Sequence, residues 1–237
     1  MNLRTRLLMG SVLCCVAGFA AAQDEEGLSG QVAFGYLATS GNSETENMNL
    51  NFGGQHIRDK WTHVLDGLAV KSRTNQVTTA EAYGLAWQSR YAIDDKSYAF
   101  GLVDWDKDEF SAYSRQLREV IGYGRQFIDT DRHSLAGEAG VGARQGDFRD
   151  GTSEDESIAR LGLDYEWQIS DTSRFNQTFS IESGSSNTYT ETMSSLSADV
   201  WGNFAIVLSY TIKRNSSVPI GVAKRDTFTA ISLEYSF

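Results

Sequence analysis

The sequence predicts an all-β protein, an antiparallel up-and-down transmembrane β-barrel of about twelve strands. Three observations predict this fold class: apolar and polar residues alternate with period two, the connections alternate in length, and an alternating C-terminal strand ends in phenylalanine. A signal-like N-terminus agrees with this prediction, because barrels of this kind are found in bacterial outer membranes and their chains must be exported.

Period-two alternation marks each predicted strand. In the run 45–57, Met48, Leu50 and Phe52 alternate with asparagines, so that one face of the strand is apolar and the other is polar. The length of each run is close to the roughly 9–11 residues that a tilted strand needs to cross the hydrocarbon layer of the membrane. The predicted strands are 28–39, 45–57, 61–72, 80–92, 97–106, 113–127, 133–144, 156–169, 174–183, 191–201, 204–214 and 225–237.

The predicted connections alternate between short and long. Tight turns are predicted at 58–60, 94–96, 129–131, 170–172 and 202–203. Longer polar connections are predicted at 40–44, 73–79, 107–112, 145–155, 184–190 and 215–224. Outer-membrane barrels place their short turns in the periplasm, so we expect both termini there and the longer loops outside.

Aromatic residues cluster beside the short turns. If these turns share one side of the membrane, the aromatic rings form a belt at one interface, where amphipathic rings are favoured. The residues of the predicted belt are Trp61, Tyr91, Tyr98, Phe127, Trp167, Phe175, Trp201, Phe204, Tyr235 and Phe237.

The first 22 residues have the pattern of a secretory signal peptide. Arg4 and Arg6 precede a short apolar stretch, which ends before the small residues 20–22. This stretch is shorter than the roughly 20 apolar residues that a spanning helix needs. We therefore expect residues 1–22 to be a cleaved signal peptide and residues 23–237 to form one outer-membrane barrel domain.

Composition excludes several classes of protein. Both cysteines, Cys14 and Cys15, lie in the signal, so no disulfide framework is expected in the exported chain. Loss of Arg4 and Arg6 takes the formal net charge from −10 to −12, which argues against nucleic acid as a partner. The mean hydropathy of −0.35 fits strands whose alternate residues face lipid and a polar lumen.

The C-terminal strand carries an assembly signal. Ile231, Leu233, Tyr235 and Phe237 alternate with polar residues, and Phe237 ends the chain. This arrangement resembles the targeting strand that the outer-membrane barrel-assembly machinery recognises. We therefore expect that machinery as a partner during biogenesis, and the lipids and lipopolysaccharide of a Gram-negative outer membrane as later partners. The sequence does not specify an oligomeric state.

Several stretches also resemble one family. They are Leu37–Ser43, Gly122–Arg125, Ile128–His133, Glu154–Leu161 and Leu208–Thr211. Together they resemble the YdiY-like outer-membrane proteins, which are described as salt-induced and classed as a domain of unknown function, family 481. The resemblance covers essentially the whole exported chain. It implies an outer-membrane barrel and supplies no activity, cofactor or catalytic residue.

No catalytic constellation is predicted. The three histidines are His56, His63 and His133, and all lie near tight turns at the same predicted rim. A lipid hydrolase needs a serine and a histidine at matching depth with a third polar residue, and no convincing set exists. We therefore predict interfacial histidines and no enzyme activity.

The connection 145–155 is rich in acidic residues. Asp147, Asp150, Glu154 and Asp155 crowd this segment beside Glu156, without the ligand spacing of a calcium loop. A solvated acidic loop is the simpler interpretation, and weak Ca²⁺ or Mg²⁺ bridging to lipopolysaccharide phosphates is the alternative. No dedicated metal site and no cofactor are predicted.

The polar phase of the strands predicts a charged lumen. Twelve strands give a backbone diameter of roughly 22–24 Å, which leaves an opening on the order of 10 Å. Glu119 is left unassigned because either phase of its strand carries a charge. The predicted lumen residues are Asp66, Arg90, Asp104, Glu138, Arg144, Arg160, Asp164, Glu166, Glu182, Asp199, Lys213 and Glu234.

Two functions remain open at this point. The excess of inward acids predicts a narrow, cation-preferring pore for ions or small solutes, because rings of carboxylates raise the local cation concentration. Alternatively, the inward bases pair with the acids and seal the barrel, which would then reinforce the envelope and interact through its surface loops.

Overall fold

The described part of the chain forms one closed barrel. The computed structural model describes residues 27–39, 44–108, 113–218 and 223–237, so the predicted signal, residues 1–22, lies outside the described residues. Each strand pairs antiparallel with its neighbours along the chain, and β1 pairs with β12. The strands are β1 (Gly27–Thr39), β2 (Thr45–Arg58), β3 (Trp61–Thr74), β4 (Val77–Ala92), β5 (Ser97–Asp108), β6 (Tyr113–Asp129), β7 (His133–Phe148), β8 (Ser153–Ser170), β9 (Ser173–Ser183), β10 (Thr188–Trp201), β11 (Phe204–Asn215) and β12 (Arg225–Ser236). The prediction of a twelve-stranded antiparallel barrel is confirmed.

Alternation along each strand separates the two faces of the barrel wall. In β12, Ile231 and Leu233 are 67% and 49% exposed, whereas Ser232 between them is 8% exposed. Successive side chains of a strand point to opposite faces, so the apolar residues lie outside and the polar ones face the lumen. Within the described residues, no helix combines the length and the apolar character that a membrane span requires.

Several connections are shorter than the sequence predicts, and two of them differ most from the prediction. In place of a long connection at 73–79, β3 and β4 are joined by Asn75 and Gln76, which both have positive φ (48° and 65°). In the region 145–155, strand pairing continues to Asp147 and Ser153. The prediction of long connections at these two places is wrong, because polar residues continue the strand ladders beyond the apolar band.

The aromatic residues beside the tight turns pack along one end of the barrel, which also carries Gly27 and Phe237. We call this the terminal end and the opposite one the distal end. The ring centroids of Trp61 and Tyr91 lie 5.0 Å apart, as do those of Phe204 and Tyr235. These rings form part of the belt that the sequence predicts.

Tyr98 departs from the predicted belt. Its hydroxyl donates a hydrogen bond to Oε1 of Glu138 at 2.9 Å, and the ring packs against the apolar residues of the lumen. In β5 the alternation places Tyr98 on the same face as Phe100 and Asp104. The prediction that Tyr98 joins the interfacial belt is therefore wrong.

The β1–β12 seam, which closes the barrel, is the shortest ladder. Its paired residues run from Gln31 and Ser236 to Phe34 and Leu233. The main chains of Gly30 and Phe237 add two reciprocal hydrogen bonds of 2.8 Å. By contrast, β1 pairs with β2 along its whole length. The barrel is thus closed at the terminal end by a short seam.

Candidate functional site

The lumen is the candidate functional site, and most of the predicted residues are found on its surface. Eleven of the twelve have buried or half-buried side chains on the inward face of their strands. Asp199 is exposed and lies beside an irregularity in the pairing of β10 with β11. That these residues line a conducting path stays a prediction.

A proximal cluster surrounds Glu138 in the lumen. Oε1 of Glu138 accepts hydrogen bonds of 2.9 Å from both Gln88 Nε2 and Tyr98 OH. Arg90 donates two hydrogen bonds to Oε1 of Gln88, at 3.1 and 2.8 Å, and its Nη2 lies 3.6 Å from Glu138 Oε1. The cluster joins β4, β5 and β7, so its side chains brace strands that are not adjacent.

An apolar layer lies beside the proximal cluster, inside the barrel. Phe100, Leu102, Val120 and Ile158 pack together on the inward face and are 2–6% exposed. Alternation did not predict this layer, because β5 carries apolar residues on both of its faces. Burial of these side chains removes apolar surface from water and stabilises this half of the barrel.

A distal cluster is centred on Arg118, whose side chain is 3% exposed. Its Nη2 lies 2.8 Å from Asp104 Oδ2 and 2.5 Å from Asp106 Oδ1. Nη1 lies 3.9 Å from Glu182 Oε2, and the guanidinium carbon is 5.8 Å from the centroid of the Tyr189 ring. Arg118 thus connects β6 with β5, β9 and β10.

Arg144 extends the distal cluster. Its Nη2 binds Glu156 and also donates to the backbone oxygen of Asn187 at 2.9 Å. Its Nη1 lies 3.8 Å from Glu182 Oε2, so Glu182 lies between the two arginines. Oε2 of Glu156 accepts hydrogen bonds from the backbone N–H and the hydroxyl of Ser186 at 3.0 and 2.9 Å. Side chains of β7 and β8 therefore anchor the β9–β10 connection.

Sequence reasoning missed several charged residues of the distal cluster and its surroundings. Arg118 was missed because the phase of β6 was ambiguous. The others lie at or beyond the predicted strand ends, in polar extensions that the apolar pattern does not mark. The missed residues are Asp106, Asp108, Arg118, Glu156 and Glu191, and all are buried.

The phase of β6 also determines the direction in which the Glu119 side chain points. Arg118 points into the lumen, so its neighbour Glu119 points outward, between Val103 of β5 and Ala143 of β7. The Glu119 side chain is exposed on the outer surface of the barrel. Glu119 therefore does not contribute to the charge of the lumen.

The opposite side of the lumen, which we call the neutral wall, has a different composition. In the middle of β1, β2 and β10–β12, between the charged Glu191 and Lys213 on the distal side and Glu234 on the terminal side, the inward side chains are short and uncharged. Most of them are half-buried, whereas most residues of the two clusters are fully buried. The neutral wall consists of Ala33, Gly35, Asn47, Asn49, Asn51, Ser195, Ser209, Thr211, Ala230 and Ser232.

Several buried polar atoms of the lumen have no hydrogen-bond partner among the described residues. They include Nε and Nη1 of Arg160, Oε2 of Glu166 and Oδ1 of Asn176. Buried polar groups in folded proteins are satisfied by protein or by ordered water. These atoms therefore require water in the part of the lumen bounded by β8 and β9.

The histidines lie on the outer surface, near the terminal end. The His63 ring stacks between Trp61 and Trp87, with centroid distances of 5.9 and 6.0 Å. Nδ1 of His133 is 2.9 Å from the hydroxyl of Tyr165. The rings of His63 and His133 thus stack against neighbouring aromatic rings on the outer surface of the barrel.

Acidic residues in the region 145–155 bind groups of the same chain. Arg115 donates to Asp147 Oδ2 at 2.9 and 2.5 Å. The hydroxyl and the backbone N–H of Thr152 donate to Asp150, and these bonds lower the pKa of the Asp150 carboxyl. In the ranges that the structure describes, no group of three or more His, Cys, Asp or Glu residues is arranged to hold a metal ion.

Comparison with known proteins places the chain in a family. Residues 32–237 match the family described as "Protein of unknown function, DUF481". The chain belongs to this family. A DUF481 relative, the "Uncharacterized protein YdiY" of Escherichia coli (strain K12), is 28% identical over 216 residues, which cover 91% of this chain and 85% of that protein. The predicted resemblance is confirmed.

Solved structures share the fold of this DUF481 chain. The translocator domain of the autotransporter NalP from Neisseria meningitidis has a TM-score of 0.52 at 12% identity, covering 91% of this chain and 90% of that one. The COG4313 outer membrane channel from Pseudomonas putida F1 has a TM-score of 0.53 at 9% identity, covering 92% and 97%. The chain therefore shares the β-barrel fold of these outer-membrane proteins.

Proposed function

We propose that this chain is a narrow outer-membrane pore that prefers cations, with its conducting path along the neutral wall. The observation that carries the proposal is the asymmetry of the lumen. Large charged side chains of β4–β8 are buried in the lumen, while the neutral wall has short side chains that stay partly exposed for the most part; on its own side of the barrel, buried Glu191 and Lys213 lie nearer the distal end. Such a surface leaves room for hydrated ions.

Unsatisfied polar atoms support a wet lumen. The guanidinium of Arg160 and the amide of Asn176 carry buried atoms without partners among the described side chains. Each such atom costs about 1–3 kcal/mol when it is left without a hydrogen bond, so a dry interior would be strongly disfavoured. Water that satisfies these groups also provides a medium for ions.

The charge distribution supports a preference for cations. Arg90, Arg118 and Arg144 each lie beside at least one carboxylate, so their positive charge is balanced locally. Glu234, by contrast, is half-buried on β12 and faces the lumen next to the neutral wall. Inward acids exceed inward bases, and a low-dielectric wall focuses the resulting field on the water inside.

Conductance in planar bilayers tests the proposal. The refolded protein should conduct weakly, and its reversal potential in a salt gradient should show cation preference. This preference should fall as salt rises, because the Debye length shrinks from about 10 Å at 0.1 M to about 3 Å at 1 M. Glu234→Gln should reduce the preference, and the outward-facing Glu119→Gln is the matched control that should leave it unchanged.

A sealed barrel is the second candidate, and the clusters across the lumen favour it. Arg118 connects β6 with β9 and β10, and Gln88 of β4 binds Glu138 of β7. Such bridges between strands that are not neighbours reinforce a barrel whether or not it conducts. Absence of conductance at every voltage and salt concentration would overturn the pore and favour this structural function.

A further inference from the structure

The β1–β12 seam is open towards the distal end. Beyond Phe34 and Leu233 the two strands no longer pair with each other. Residues Gly35–Thr39 of β1 still pair with β2, and residues 225–232 of β12 still pair with β11. In the described residues, β1 and β12 therefore both continue from the paired segment towards the distal end without pairing with each other.

The position of this gap has an energetic consequence. Backbone N–H and C=O groups that face hydrocarbon without partners are strongly disfavoured, so an open sheet edge is tolerated only against water or a polar lumen. The gap lies between the lumen and the outer surface of the barrel. Elsewhere in the described ranges a strand is left unpaired on one side where it extends past the end of its neighbour, as at Val77–Glu81 of β4 and Ser153–Ile158 of β8, whereas at the β1–β12 gap both strands continue unpaired.

Apolar side chains border the gap on the lumen side. Leu37 lies on the lumen-facing phase of β1 and is 62% exposed, whereas the lumen-facing Phe100 and Leu102 are 5% and 6% exposed. On β12 the lumen-facing Phe228 and Ala230 are half-buried beside the gap, between the polar residues Asp226 and Ser232. These side chains continue the apolar outer surface inward through the gap.

We propose that the β1–β12 gap is a lateral access site through which an acyl chain of a membrane lipid reaches the lumen. The edge residues give the chain an apolar path, from the exposed Tyr36 and Ile231 outside to Leu37 and Phe228 inside. Such a surface would let the acyl chain pass from the bilayer into the lumen without exposing its methylenes to water. The inference goes beyond the proposed pore, because it holds whether or not the lumen conducts ions.

The lower limit of the gap is set by a close approach at Gly35. A Cβ atom there would lie 2.7 Å from the backbone oxygen of Ile231, so only glycine fits between β12 and β2. Just beyond, Asn49 Nδ2 of β2 donates to Ser232 Oγ of β12 at 3.0 Å, across β1. This hydrogen bond, which we call the latch, joins the two sides where the paired segment ends.

Quenching of a fluorophore by spin-labelled lipid tests the access site. Single cysteines replace Ala230 (lumen-facing at the gap), Thr229 (outward-facing on the same strand) and Thr178 (lumen-facing on β9). Cys14 and Cys15 are replaced by serine in all variants, so that only the introduced cysteine is labelled with bimane. The refolded full chain is placed in vesicles whose phospholipid acyl chains carry a nitroxide. Heat-modifiable gel mobility shows that each labelled variant is folded.

We expect strong quenching of bimane fluorescence at Ala230→Cys, comparable with that at Thr229→Cys, and no quenching at Thr178→Cys. Quenching at Thr229→Cys alone would overturn the proposal, because the acyl chain would then stay outside. Equal quenching at all three positions would also overturn it, since lipid would fill the lumen without using the gap. Conductance of the same labelled proteins tests the pore separately.

Discussion

The two sides of the barrel interior follow the same alternation of inward and outward residues, but their inward side chains differ in size, charge and burial. On β4–β8 the inward residues form a charged side, where arginines and carboxylates are buried together and connect distant strands. On the neutral wall, the inward residues are short and uncharged, and most of them are half-buried. The comparison shows that one binary pattern specifies an inward face without deciding whether that face packs or stays open.

Removal of the central arginine of the charged side should have the largest effect. Arg118→Gln leaves Asp104, Asp106 and Glu182 close together without the cation that balances them. Breaking a buried ion pair by removing one partner destabilises a protein by about 3–5 kcal/mol. We expect a loss of this size in the free energy of unfolding, measured by urea titration of the protein refolded in lipid vesicles.

Arg115 offers a matched control on the same strand. It pairs with Asp147, but the two side chains are 62% and 39% exposed. Exposed ion pairs contribute about 0–1 kcal/mol, so Arg115→Gln should change stability little. Equal losses for the two variants would contradict the distinction between a buried charged side and a solvated surface.

Alternation along the sequence predicted most of the fold. Side-chain direction in a strand is a local property, so runs such as Met48, Leu50 and Phe52 locate both the strand and its lipid-facing side. The ends were predicted less well, because polar residues at the distal end extend the ladders without an apolar signal. Asp106 and Glu191 were missed for that reason.

Contacts across the lumen could not be predicted from the sequence. Whether Arg118 of β6 meets Glu182 of β9 depends on the closed shape of the barrel and the tilt of its strands. Alternation is also ambiguous in β5, because this strand carries apolar residues on both faces and the inward ones include Phe100 and Leu102. The extent of the β1–β12 seam is likewise a property of closure, which no local pattern encodes.

The second prediction concerns the seam beside the neutral wall. Deletion of Phe237 removes both main-chain hydrogen bonds to Gly30, which extend the short ladder between β1 and β12. It also removes the terminal aromatic residue of the predicted assembly signal. We expect several-fold less folded protein in the outer membrane, measured by heat-modifiable gel mobility. Ser236→Ala should have little effect, and normal levels of the deletion variant would show that the signal was over-interpreted.

The third prediction introduces a charge into the neutral wall. Asn51 is half-buried on the lumen side of β2, paired with Ala33 and Leu68. If ions pass along this wall, the ammonium group of Asn51→Lys should repel cations from the narrow path. We expect the reversal potential in a salt gradient to shift towards zero. Asn51→Gln, which changes size without charge, should keep the cation preference, and an unchanged potential in the lysine variant would remove the neutral wall from the path.

The smallest expected effect concerns the latch between β2 and β12. Asn49→Ala removes the hydrogen bond to Ser232, which joins the two sides of the seam next to Gly35. A hydrogen bond of this kind contributes about 0.5–1.5 kcal/mol to stability, so the variant should stay folded. The paired segment between β1 and β12 should then open more often from its distal side, because the side chain at position 49 no longer connects β2 with β12. Hydrogen exchange of the Phe34 amide should therefore quicken relative to that of amides within the long β6–β7 ladder. Asn51→Ala, on the same face of β2, is the matched control, and equal exchange in the two variants would mean that the latch does not hold the seam.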